Sequence, residues 1–125
     1  MTTDAVLDAS VLIDALLDRA MLPHADRFHS HPGLDIEVVA VLRRKVHRGE
    51  LPAHGAREVL DSFAQLDVER HPVRALLPRI WAMRHDISAY DAGYVALAEA
   101  LGYPLVTLDR KLATTASRYC EVFVP

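Results

Sequence analysis

The sequence predicts an α/β fold, a mostly parallel sheet flanked by helices, and three observations carry that reading. Short apolar runs at Ala5–Leu7 and Leu105–Leu108 have the length and continuity of strands buried on both faces. The segments between the strand candidates are mostly helical in their apolar spacing, and strand–helix–strand order favours parallel pairing. The chain has 125 residues, about half of them apolar, which is enough for one core and too few for two ordinary domains. Residues 1–125 are therefore read as a single domain.

The elements follow in order. The first strand spans about Ala5 to Asp8 and delivers a carboxylate to the carboxyl edge of the sheet. A first helix, about Ser10 to Ala20, carries Val11, Leu12, Ala15 and Leu16 as its apolar stripe, with Ser10 as N-cap. A short second helix is expected after Pro23, around His24 to His29, with a break at His31-Pro32-Gly33. Leu34, Val38, Val41, Leu42 and Lys45 mark a third helix that ends near Gly49. Pro52 opens a fourth, through about Leu66, with Ala56, Val59, Leu60, Phe63 and Ala64 on one side.

Asp67 to His71 reads as a strand stopped by Pro72. A fifth helix covers Ala75 to Arg84, with Pro78 in its first turn, where the missing N–H is tolerated. Ser88 caps a sixth helix, Ala89 to Leu101, which Gly102 and Pro104 terminate. The strand at Leu105–Leu108 follows, then a short helix around Lys111 to Thr115 and a last strand at Glu121 to Val124.

Composition sets further bounds. A single cysteine, Cys120, excludes an internal disulfide and any cysteine-based zinc cluster. No stretch is long and apolar enough to span a bilayer, and the N-terminus lacks the pattern of a secretory signal; a cytoplasmic protein is expected. The net charge of −3, from 17 acids against 14 Lys plus Arg, argues mildly against a nucleic-acid ligand. Setting four acids aside on a metal leaves the two signs almost balanced, so bulk charge decides little.

Four acids stand out. Asp8 and Asp109 each close a buried apolar strand, and in a parallel sheet both open onto the same edge, where ligands of open α/β sheets bind. Glu37 flanks the apolar stripe of the third helix, and Asp91 lies in the first turn of the sixth, near the positive end of its dipole. Gathered together these acids repel, by about 4 kcal/mol per pair at ~4 Å and an effective dielectric of 20. Either some protonate or a cation joins them. Oxygen donors favour Mg²⁺ or Mn²⁺. Such an ion lowers the pKa of a bound water and polarises a phosphodiester, which needs no nucleophilic side chain.

The motifs around these acids resemble the PIN-domain ribonucleases, and more narrowly the VapC toxins of VapBC toxin–antitoxin pairs. The likeness is carried by Val6-Leu7-Asp8-Ala9-Ser10, by Asp35-Ile36-Glu37-Val38 with Leu42-Arg43-Arg44, by Tyr90 to Ala98, and by Leu105 to Asp109. It covers nearly the whole chain in the same order. It implies a three-layer α/β/α sandwich and a Mg²⁺- or Mn²⁺-dependent endoribonuclease whose acids align with Asp8, Glu37, Asp91 and Asp109, supported by Ser10. It also implies a structured RNA substrate (tRNA or rRNA), a VapB-like antitoxin partner, and a homodimer that forms larger complexes with the antitoxin. Asp86 departs from the pattern, which has Asn there, and is read as solvated.

The densest basic stretch is Arg43 to Arg48. Arg44 and Arg48 share a helical stripe with Glu37, which suits contacts to phosphates; Arg84, before the sixth helix, is a further candidate. Among the seven histidines, His29 and His31 invite a metal reading, but the sequence offers no third ligand beside them, so they are read as surface or packing residues. Trp81, Tyr90 and Tyr94 are read as core or dimer-contact residues. Two other classes share features of this pattern. One is a PIN-like module that grips RNA or a partner without cutting. The other is a receiver domain, disfavoured because no second acid neighbours Asp8.

Overall fold

The computed structural model describes residues 3–18, 22 and 24–125. Among these residues five strands, β1 (Asp4–Leu7), β2 (Arg27–Ser30), β3 (Val68–Arg70), β4 (Leu105–Val106) and β5 (Val122–Phe123), form one parallel sheet. Six α-helices flank it: α1 (Ala9–Asp18), α2 (Leu34–His47), α3 (Ala53–Ala64), α4 (Leu77–Ala82), α5 (Ala89–Leu101) and α6 (Arg110–Ala116). A 3₁₀ turn at Arg74–Leu76 leads into α4. The result is the expected α/β/α sandwich.

The strand order β3-β2-β1-β4-β5 fixes where a site can form. The chain steps outward from β1 to β2 to β3, then returns to the other side of β1 to lay down β4 and β5. Parallel crossovers are right-handed, so this reversal sends the later helices to the opposite face. The two sets of loops diverge between β1 and β4, leaving a crevice at their carboxyl ends. A receiver-type order, in which the chain's first and third strands are neighbours, is absent.

Burial follows the sequence pattern. Val6, Leu7, Leu105 and Val106 are all buried in the two central strands. The same core takes Leu12 from α1, Leu34, Val38 and Leu42 from α2, and the small-residue face Ala92, Gly93, Ala96 and Ala98 of α5. The small residues let α5 lie close to β1 and β4.

Several expectations need correction. The first strand begins at Asp4 and ends at Leu7, so Asp8 lies just beyond it. Helix α1 starts at Ala9, which makes Asp8 the capping residue and puts Ser10 inside the first turn; its expected end at Ala20 lies outside the described residues, as does Pro23. No helix forms at His24–His29; the second half of that stretch is β2. Arg27-Phe28-His29-Ser30 lacks the apolar run that marks β1, because its buried positions at His29 and Ser30 are polar and satisfied by hydrogen bonds. The fifth helix divides into a 3₁₀ turn and α4, with Pro78 in the first turn of α4 as expected. Strands β4 and β5 are each two residues long, shorter than read from the sequence.

The boundaries of α5 match expectation. Ser88 Oγ accepts from the Asp91 N–H, and Gly102 ends the helix at φ +72°, a left-handed conformation that favours glycine. No helix among the described residues is long and apolar enough to cross a membrane.

Candidate metal centre at the carboxyl edge

Asp8 is the buried anchor of the site, with 5% of its surface exposed. As the capping residue of α1 it accepts through Oδ1 from the Val11 N–H (3.2 Å) and from the Ser10 hydroxyl (2.6 Å). Its Oδ2 accepts from the Thr107 hydroxyl, which lies one residue beyond β4. The two hydroxyls also receive: Ser10 Oγ accepts from the Leu108 N–H at 3.2 Å, and Thr107 Oγ accepts from the Asp109 N–H at 3.0 Å. The ends of β1 and β4 are thus laced together through one carboxylate and two hydroxyls. Burial pushes the Asp8 carboxyl above the usual range; these three donors oppose the shift and the Asp109 charge adds to it.

Asp109 caps α6, accepting from the Leu112 N–H at 3.0 Å. Its exposed side chain lines a groove with Asp91, Ser88, Asp86 and Lys111. Asp91 is half-buried in the first turn of α5. Burial raises its proton affinity, the charges of Asp109 and Asp8 raise it further, and Ser88 opposes.

Glu37 comes from the first turn of α2 and accepts a hydrogen bond from the Tyr94 hydroxyl on α5. Burial raises its proton affinity; Tyr94 lowers it, the charges of Asp91 and Asp8 raise it, and Arg44 lowers it. Glu37 and Asp91 together line a second groove of about 670 Å³ with Gly33, Ile36, Arg44 and Tyr90. Asp91 therefore stands on the shared rim of two grooves, with Asp109 in one and Glu37 in the other.

The structure thus brings all four acids predicted from the sequence to one end of the sheet, with Ser10 bonded to Asp8. Arg44 reaches the groove beside Glu37 and Asp91. Arg48 lies at the far end of α2, exposed and outside that groove. Arg84 stacks its guanidinium 4.4 Å from the Trp81 ring centroid, along an adjacent apolar groove of Leu77, Ile80 and Ile87. Asp86 is exposed, as expected, but lines the Asp91–Asp109 groove, with the Tyr119 hydroxyl 3.4 Å from Oδ2.

Some features were not anticipated. Thr107 and Tyr94 supply hydroxyls to Asp8 and Glu37. The sequence signal for Thr107 is a lone hydroxyl in an apolar run, two residues before Asp109. Tyr94 is fully buried, whereas Trp81 and Tyr90 are 67% and 74% exposed and belong to no core. Their rings lie along the grooves, where apolar surface is useful to a ligand. His31 is a packing residue, as read. Its ring lies 4.2 Å from that of Tyr94, and Nδ1 accepts from the Gly33 N–H at 2.9 Å. It also explains Gly93: a Cβ there would approach the His31 ring to 3.0 Å.

These side chains present oxygen atoms, and their carboxylates lie close enough to raise one another's proton affinity. Comparison with known proteins agrees with the geometry. The PIN domain family profile matches residues 5–117. Ribonuclease VapC9 of Mycobacterium tuberculosis is 43% identical over 122 residues, spanning 95% of this chain and 96% of that protein. Ribonuclease VapC1 of the same organism is 37% identical over 128 residues, with the same coverage of both chains. Among solved structures, PAE2754 from Pyrobaculum aerophilum superposes with a TM-score of 0.74 at 22% identity, over 98% of this chain and 90% of its own. A member of the VapBC family of toxin–antitoxin systems, VapBC-5 from Mycobacterium tuberculosis, has a TM-score of 0.58 at 25% identity over 98% and 97%. The chain belongs to the PIN-domain family and, within it, to the VapC ribonucleases.

Proposed function

We propose that this protein is a Mg²⁺- or Mn²⁺-dependent endoribonuclease, the toxin of a VapBC-type toxin–antitoxin pair, acting on structured RNA in the cytoplasm. The observation that supports it is electrostatic. Asp8, Glu37 and Asp91 come from three different elements, all with proton affinity raised by burial and by acidic neighbours. Such a group holds charge reluctantly unless a cation joins it. An all-carboxylate donor set fits Mg²⁺ or Mn²⁺, ions that take oxygen ligands.

In this reading Asp8, Asp91 and Asp109 hold the ion, with Glu37 completing the set. When bound, the ion supplies Lewis acidity toward the phosphodiester and lowers the pKa of water it touches. The chain's own groups do the rest. Ser10 and Thr107 fix both oxygens of Asp8 in place. Tyr94 orients Glu37. Arg44, at the groove wall, contacts a phosphate beside the cut and positions the backbone without reading sequence. Arg84, on the adjacent groove, extends that contact along the strand; Arg48, at the far end of α2, meets only RNA that runs beyond the groove.

A VapB-like antitoxin is the natural partner. The groove beside the acids offers Ile36 and Tyr90, both 74% exposed, as apolar ground for a segment that blocks the site. In this reading the chain forms a homodimer, and its larger complex contains the antitoxin as well.

Purified protein incubated with total RNA tests the reading. Cleavage should require Mg²⁺ or Mn²⁺, stop with chelator, and fall at least about a hundredfold in Asp8→Asn and Asp91→Asn. Cleavage that survives chelation overturns the metal dependence. Tight RNA binding without cleavage, indifferent to metal, would instead show a non-catalytic binding module.

A further inference from the structure

A second group of ionisable side chains lies away from the acids. His29, in the middle of β2, is 3% exposed, although its neighbour in register on β1 is the apolar Val6. Both ring nitrogens are bonded. Nε2 lies 2.9 Å from Asp4 Oδ1 on β1, and Nδ1 lies 2.8 Å from Nε2 of His71, just beyond β3. Glu69 of β3 is paired with His29 in register and brings Oε2 to 3.6 Å from the same Nδ1. The ring of Tyr103 lies 5.0 Å from that of His29.

One tautomer of His29 leaves a nitrogen available to a metal. An ionised carboxylate only accepts, so the proton of His29 sits on Nε2, toward Asp4. Nδ1 then carries a lone pair, aimed at His71 and Glu69. A carboxylate behind an imidazole whose other nitrogen faces a metal is the common arrangement around histidine ligands, where it fixes tautomer and ring orientation. Here the carboxylate is itself buried, its side chain 7% exposed. His29 Nδ1, His71 Nε2 and a Glu69 oxygen lie within 4.8 Å of one another.

We propose that His29, His71 and Glu69 form a binding site for a borderline transition cation of the Zn²⁺ class, distinct from the acid site, with Asp4 as its positioning residue. Two imidazoles and a carboxylate match the preferences of Zn²⁺ rather than those of Mg²⁺. Ligand atoms about 2.0–2.2 Å from a tetrahedral ion stand roughly 3.3 Å apart. The Glu69–His29 separation is close to that already. The His71 nitrogen has to withdraw by about 0.5 Å from its hydrogen bond. His71 lies past the end of β3 and is partly exposed, so it has room to do so. In the metal-free state the His71 N–H donates to His29; binding moves that proton to the other ring nitrogen of His71 and leaves the charge of both rings unchanged. Three ligands leave a fourth position for water. The ion would tie the three-residue edge strand β3 to β2 through side chains as well as backbone.

The test is Co²⁺ and Zn²⁺ titration of the untagged full chain in an Asp91→Asn background, so that the acid site does not compete. The site requires one equivalent of Co²⁺ with the intense visible absorption of tetrahedral coordination, displaced by Zn²⁺, and a rise in melting temperature with Zn²⁺. His71→Ala should abolish both signals, with far-UV circular dichroism unchanged. Glu69→Gln, on the exposed edge, should weaken it without loss of fold. Asp4→Asn should weaken affinity about tenfold while the absorption band keeps its shape, since the ligands themselves remain. No binding, a weak octahedral spectrum, or binding indifferent to His71→Ala would each overturn the proposal. The last would mean that other histidines took the ion.

Discussion

The two clusters of ionisable side chains are built on opposite principles. The acid group at the β1–β4 crevice takes carboxylates from the loops and helix starts of four separate segments, and their charges oppose one another. The His29 group is assembled on three neighbouring strands, and the buried ring has a partner on each nitrogen. The first is strained electrostatically when metal-free; the second is satisfied by hydrogen bonds. A cation entering the first relieves repulsion among carboxylates, whereas one entering the second has to replace the His29–His71 hydrogen bond with stronger nitrogen ligation.

Five substitutions and one pH series test the contrast. The largest effect should come from chemistry: Asp8→Asn and Asp91→Asn should reduce RNA cleavage at least about a hundredfold, whereas His71→Ala should leave it within about twofold. A cleavage assay on one defined RNA compares them directly. Comparable losses in both groups would erase the distinction.

Thr107→Val is next. It keeps shape but removes the donor to a buried carboxylate oxygen and the acceptor for the Asp109 N–H. Denaturant unfolding should show a loss of about 1–3 kcal/mol at neutral pH. If stability is unchanged, the lacing between β1 and β4 is not structural.

The pH dependence has a definite sign. Asp8, Glu37 and Asp91 are all raised in the folded state. Between the ordinary carboxylate value, about 4, and those higher values the folded chain binds more protons than the unfolded one. For these groups, metal-free stability therefore falls as pH rises through that window, and the loss is complete above the raised values. Mg²⁺ should restore it. Asp91 is half-exposed, so solvent screening limits its share: Asp91→Asn should stabilise the metal-free protein by about 1 kcal/mol near neutrality and by nothing at the acid end. Melting curves across pH, with and without metal, check this.

The smallest effect is expected at Arg44→Ala. It should weaken RNA binding evenly across sequences and reduce the salt dependence by about one unit of slope, without altering metal affinity. Binding measured at several salt concentrations decides it.

Much of this was legible in the chain, and the reasons are physical. Asp8 and Asp109 announce themselves because each ends a short apolar run, and α5 because Ser88 and Gly102 mark its ends chemically. The strand β2 was hidden because its buried positions hold His29 and Ser30, whose burial is made tolerable only by Asp4, His71 and the Leu7 carbonyl. Those partners lie 23 to 42 residues away in the chain, so no local pattern displays them. For the same reason the sequence showed no third ligand beside His29: Glu69 and His71 reach it only through parallel pairing of β2 and β3. The role of Thr107 depends likewise on β4 lying beside β1, a fact of topology rather than of spacing.

The central claim is that the gathered carboxylates exist to hold a divalent ion. Counting bound Mn²⁺ by electron paramagnetic resonance, on the wild-type chain and on Asp8→Asn/Asp91→Asn, tests it most directly. Saturable binding by the wild type is expected to disappear in the double variant, with cleavage lost in parallel. Equal Mn²⁺ binding by both proteins, or cleavage by a chain that binds none, would contradict it.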